Sequence, residues 1–191
     1  MGAGKSTVAA MLAGRGAAVI DVDALGREVL EPGGEAYTAV VARFGPVVVA
    51  GDGRIDRAAL AGVVFDNPAA LADLQAISHP AINRVLDRLL DGVEAGVVVL
   101  DMAILVESHL GRDLPSGRGY DTVVVVEAPL EVRVARLVSA RGVDEADARA
   151  RVAAQASDEA RRAVADHVIV NDGDLAALEV QVDALWRDLC L

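Results

Sequence analysis

Residues 1–10 read MGAGKSTVAA, and the fold follows from how that stretch is understood. Gly2-Ala3-Gly4-Lys5-Ser6-Thr7 matches the second half of the phosphate-binding loop G-x-x-x-x-G-K-[ST], whose glycines let backbone N–H groups close on phosphate oxygens. A plain glycine-rich helix start is the alternative. Composition separates the two: of 18 Lys and Arg residues, 17 are arginine, and the single lysine is Lys5. A bias that turns interchangeable surface lysines into arginines spares a lysine whose compact ammonium must fit where a planar guanidinium cannot. The stretch is therefore read as a loop that binds a nucleoside triphosphate. Its backbone and helix N-terminus surround the β-phosphate, Lys5 bridges to the γ-phosphate, and the Ser6 hydroxyl ligates Mg²⁺.

The bulk numbers narrow the class. At 191 residues and 53% apolar, the chain is long enough for one packed domain carrying an inserted lobe. No apolar run reaches the roughly 18–20 residues that cross a bilayer, so no membrane role is expected. The start lacks the basic segment and apolar core of a signal peptide. One cysteine, Cys190, cannot form an internal disulfide, which fits a reducing cytoplasm. A net charge of −11 argues against nucleic acid as a partner but not against a small anion held by a few local cations.

Val-rich runs bounded by turn residues predict strands at 17–21 (AAVID), 96–101 (GVVVLD), 121–128 (DTVVVVEA) and 167–171 (HVIVN). They are nearly continuous rather than alternating, the pattern of strands buried on both faces of a parallel sheet. Helical patterns at 6–13, 129–140, 144–165 and 174–189 alternate with them, giving an α/β fold with helices flanking a parallel sheet. Between the first and second runs lie several short helical stretches, with PAALADLQAI and PAINRVLDRLLDGV read as separate helices. The expected organisation is a nucleotide-binding core of 1–23, 97–136 and 163–191, a helical lobe at 24–96 and a lid at 137–162. A sheet of this kind needs a strand immediately before the loop, since its absence leaves neighbouring strand edges unpaired. The expectation is that the natural polypeptide starts upstream and Met1 is an internal residue.

Asp21 ends the first predicted strand and Asp23 follows two residues on, at the carboxyl edge where α/β proteins bind ligands. A carboxylate there could take a proton from an attacking hydroxyl or could cap the next helix, and spacing alone does not decide between them.

Beyond the loop, the stretches IDVDALGREVLEPG, ARFG, DGRIDRAALAGVVF, ISHPAI, ILVES, AAQAS and ADHVIVNDGDLAAL resemble the dephospho-CoA kinases along essentially the whole chain. A helical lobe holding EPG, then DG-x-[IL]-D-R-x-x-L, then HP-x-I is the specific part of the match. The resemblance implies a P-loop kinase that moves the γ-phosphoryl group of ATP, with Mg²⁺, to the ribose 3′-hydroxyl of dephospho-CoA. Asp23 then becomes the base toward that hydroxyl, and Arg27, one helical turn on, an acceptor contact. His79, read as opening a helix with Pro80, and Glu107 are further acceptor contacts. Asp101, at a strand end, becomes a metal-side acid. Arg136 and Arg141 are the lid-side cations for the transferring phosphoryl, and Asn171 is an ATP contact.

The chain departs from the family pattern at Ala140-Arg141, where an arginine followed by aspartate is usual, and at Ala103, which stands in for a proline. Two other classes remain as alternatives: a nucleoside monophosphate kinase-like enzyme, and a protein that binds ATP without transferring phosphate.

Overall fold

The computed structural model describes residues 1–190 except 104, 107 and 109, and leaves out the side chains of 140 and 141. The chain divides into two compact units: 1–20, 93–108 and 120–191 form the first, and 21–92 with 109–119 form the second. Residues 109–119, which the sequence analysis left outside the helical lobe, group with it.

In the first unit all four predicted strands are present in shortened form, as β1 (Ala18–Asp21), β2 (Val98–Asp101), β3 (Val124–Glu127) and β4 (His167–Val170). They lie in two two-stranded pieces, β1 beside β2 and β3 beside β4. The second pair is parallel, with Val124 opposite His167 and Glu127 opposite Val170. One apolar cluster runs beneath both pieces. Val8 and Leu12 of α1 (Lys5–Ala13) and Leu178, Val182 and Leu185 of α9 (Leu175–Leu189) pack with Ile169, and Val97, Val99, Val124 and Val126 border them. At roughly 1.5–3 kcal/mol for each fully buried aliphatic side chain, this cluster is what holds α1, and so the loop before it, against the strands.

Helix α6 (Leu130–Arg141) follows β3, and its Val134 and Leu137 pack with Ala148 and Val152 of α7 (Glu145–Ala153). The stretch 144–165, expected as one helical segment, is two helices. Ser157 accepts a hydrogen bond from Ala160 N–H at 3.1 Å and starts α8 (Asp158–Arg162) afresh. A serine cap satisfies an otherwise orphaned N–H, which is why the chain restarts there.

The second unit is built on α5 (Pro68–Asp91), against which α2 (Val22–Glu28), α3 (Tyr37–Phe44) and α4 (Arg57–Val64) pack. Two expectations are corrected here. The stretches on either side of Pro80 are one helix of 24 residues, and His79-Pro80 sits in its middle rather than at a helix start. The true start is Asn67, which accepts from Ala70 N–H at 3.1 Å, with Pro68 in the first turn. An interior proline costs about 3 kcal/mol through its missing N–H and its ring. Fully buried Ala81 and Leu86, with Ile82 at 5% exposure, lie just beyond it. Burial of Ile82 and Leu86 at roughly 1.5–3 kcal/mol each offsets the proline.

The turn EPGG at 31–34 closes on the end of α2, where Ala36 N–H donates to Val29 O at 2.9 Å. A Cβ on Gly34 would lie 2.5 Å from Glu28 O and 2.6 Å from Val29 O, so only glycine fits. Gly34→Ala is expected to lower stability by about 1–3 kcal/mol, read as a lower urea midpoint at unchanged slope. An unchanged midpoint would show that the turn yields without cost.

Candidate active site

The loop is shaped by glycines that no other residue replaces. Gly2 and Gly4 have φ of +73° and +98°, in the left-handed region, and Gly4 is the N-cap of α1. A Cβ on Gly4 would overlap the Asn171 side-chain nitrogen, and one on Gly2 would lie 2.6 Å from the backbone oxygen of Arg133. The helix starts at Lys5, so Lys5, Ser6 and Thr7 occupy its first turn; Thr7 N–H donates to Gly4 O at 3.0 Å, and the positive end of the helix dipole there favours an anion.

Two of the residues singled out from sequence hold this loop. Asn171, 6% exposed at the end of β4, donates from Nδ2 to Ala3 O at 2.8 Å. Its Oδ1 accepts from Arg136 Nη2 at 3.2 Å, and Arg136 Nη1 donates to Ala3 O at 3.4 Å and Gly2 O at 3.5 Å. Arg136 and Asn171, 35 positions apart in sequence, thus meet each other at the loop. Together with Gly4, Thr7, Asp174 and Leu175 they line a cavity of about 260 Å³ beside the loop and the start of α9. A buried residue that the sequence analysis passed over, Arg133, also reaches the loop, donating from Nε to Met1 O at 3.0 Å.

On the other side of the loop stands Asp101, at the end of β2. One carboxylate oxygen pairs with the Lys5 ammonium and the other accepts from Ser6 Oγ at 3.3 Å. The Asp101 side chain is only 11% exposed, so the pair is held near the protein surface but screened less than a free one. Among the described residues no group of three or more His, Cys, Asp and Glu could hold a metal ion. Ser6 and Asp101 present a hydroxyl and a carboxylate side by side, hard oxygen donors of the kind that suit a divalent ion.

In the second unit, Asp21 is the N-cap of α2 and accepts from Ala24 N–H at 2.8 Å. Asp23 falls in the first turn of that helix. Arg27, in its last turn, lies 3.5 Å from Asp21 Oδ2, an exposed pair of little energetic weight. The capping role, one of the two readings that spacing left open there, is filled by Asp21. His79 is partly buried in the middle of α5. Glu107 lies outside the described residues, as does the side chain of Arg141, whose backbone closes α6.

Helices flanking parallel strands, a glycine loop opening onto a helix N-terminus, and a loop lysine facing a strand-end aspartate define a P-loop nucleotide-binding protein. Comparisons with known proteins narrow this. A family model described as Dephospho-CoA kinase matches residues 1–177. The dephospho-CoA kinase of Thermobifida fusca is 44% identical over 99% of this chain and 92% of its own length. That of Streptomyces avermitilis is 45% identical over 99% of this chain and 90% of its own. The crystal structure of TT1252 from Thermus thermophilus superimposes with a TM-score of 0.81 at 35% identity, covering 99% of this chain and 93% of that one. The chain belongs to the dephospho-CoA kinase family.

Proposed function

We propose that this chain transfers the γ-phosphoryl group of ATP to the ribose 3′-hydroxyl of dephospho-CoA, giving CoA and ADP. Supporting this reading above all is a family match over residues 1–177 that begins on the second half of the loop, with Gly2, Gly4, Lys5 and Ser6 in place.

Phosphoryl transfer asks little covalent chemistry of the protein; it asks for positioning and for charge where charge accumulates. Lys5 and the N–H groups of the first turn of α1 take the β- and γ-phosphates. Lys5 reaches them by exchanging the Asp101 carboxylate for phosphate oxygen, a like-for-like replacement of one anion by another. Ser6 and Asp101 would hold Mg²⁺, which supplies neutralisation of the β- and γ-oxygens when bound. The cavity beside Asn171 and Leu175 takes the adenine end of ATP, and Arg136 and Arg141 supply cations toward the transferring group.

Asp23 accepts the proton of the 3′-hydroxyl as that oxygen forms its bond to phosphorus and the bond from phosphorus to the β,γ-bridging oxygen breaks. Arg27, His79 and Glu107 are assigned to the acceptor. The first unit then serves ATP and the second dephospho-CoA. Among the described residues no helix is long and apolar enough to cross a membrane, and a cytoplasmic setting fits two water-soluble substrates.

The test is an acceptor panel. The purified chain with Mg·ATP is offered dephospho-CoA, AMP and shikimate separately, and products are read by mass spectrometry. Phosphorylation of dephospho-CoA alone is expected; phosphorylation of AMP in preference would replace this reading with a nucleoside monophosphate kinase.

A further inference from the structure

The guanidinium of Arg133 is among the most deeply buried charges in the first unit, at 5% exposure, and nothing in the chemistry above uses it. It forks. Nε donates to Met1 O at 3.0 Å, and Nη2 donates to Gln155 Oε1 at 3.1 Å, in the turn between α7 and α8. Nη1 lies 3.5 Å from Asp158, the first residue of α8. Its own backbone oxygen is the atom against which the loop closes at Gly2. Burial, and then the neighbouring Arg161, push this guanidinium below the ordinary arginine range. A cation kept in so unfavourable a place is held by what it organises.

A planar trans peptide points each N–H opposite to the preceding carbonyl. Pinning Met1 O therefore turns Gly2 N–H to the other side of the chain. Arg136 on Gly2 O does the same for Ala3 N–H, and Asn171 on Ala3 O does it for Gly4 N–H. Three successive carbonyls are each held by a side chain, so each of the three following N–H groups is turned away from the side chain that holds its carbonyl.

We propose that Arg133 is a positioning residue for ATP, one that sets the direction of the first N–H of the phosphate loop and ties that setting to the α7–α8 turn through Gln155. It touches no substrate. Lysine cannot reproduce it, because one ammonium cannot span Met1 O and Gln155 Oε1 as a fork does.

The inference rests on the kinase reading, and CoA formation by the wild-type chain tests that reading separately. Affinity for Mg·ATP, measured by calorimetry, tests Arg133 in either case. Arg133→Gln is expected to raise the dissociation constant and the KM for ATP about tenfold, with kcat and the KM for dephospho-CoA within about twofold of wild type. Arg133→Lys is expected to recover only part of the loss.

Because Arg133 is buried, Gln155→Leu is measured beside it. That variant leaves the bond to Met1 O but removes the Oε1 that Arg133 shares with the Met1 amino group, and a rise of about threefold in KM for ATP alone is expected, with Gln155→Glu close to wild type. A purely structural role would lower the melting temperature and leave the folded fraction with normal ATP binding. That result, or equal KM increases for both substrates, would overturn the proposal.

Discussion

Lys5→Ala is expected to lower CoA formation by at least about 10²–10³-fold while the protein stays folded. Charge placement is the main lever in phosphoryl transfer, and Lys5 is the one lysine in the chain, standing in the first turn of the helix that follows the loop. An ammonium close to γ-phosphate oxygens neutralises charge that grows as the bond to ADP breaks, so its loss falls mainly on kcat. Stability is affected little. Lys5 is 39% exposed in its pair with Asp101, and a pair that open to solvent contributes about 1 kcal/mol or less. Circular dichroism and thermal unfolding of the variant should match the wild type closely. Lys5→Arg is the informative companion. It keeps the charge but replaces a compact head with a planar fork, and it should also be slow. Wild-type turnover in Lys5→Ala would remove the loop from the mechanism.

The second large effect is expected at Asp23. Asp23→Asn should reduce kcat by about 10²–10⁴-fold, the range for losing a general base, with the KM for dephospho-CoA little changed. The cap of α2 is Asp21, whose carboxylate accepts from Ala24 N–H, so exchanging Asp23 leaves the helix start in place. As an acid in the first turn of α2, Asp23 is worth about 0.3–1 kcal/mol to the helix. Asp21→Asn serves as the control: asparagine caps about as well as aspartate, so it should be stable and active. If Asp21→Asn were the dead variant and Asp23→Asn the live one, the base would be Asp21.

What could be read in advance follows physical lines. The four strands were legible because buried parallel strands are runs of valine bounded by turn residues, a signal that needs no partner to be seen. The loop was legible because its glycines are required by backbone geometry, as the φ of Gly2 and Gly4 makes plain. Pro80 misled the reading of the second unit. Proline in a first turn is the commoner placement, and only the burial of Ala81, Ile82 and Leu86 beyond it makes a continuous helix the better solution. The break at Ser157 was written in the sequence as a serine followed by Asp158 and Glu159, a helix-start pattern hidden inside a longer helical composition. Arg133 had no signal of its own. In a chain with 17 arginines it looks like any other, and its distinction lies in burial and in the two carbonyl groups it joins, one of them 132 positions away.

The most direct test of the central claim follows the phosphoryl group itself. The chain is incubated with Mg²⁺, dephospho-CoA and ATP labelled in the γ-phosphoryl group, and the labelled product is located by mass spectrometry and phosphorus NMR. The account predicts one label per product molecule, on the ribose 3′-oxygen, with ADP formed in equal amount. Label recovered only as inorganic phosphate, or on any other oxygen of the acceptor, would contradict it.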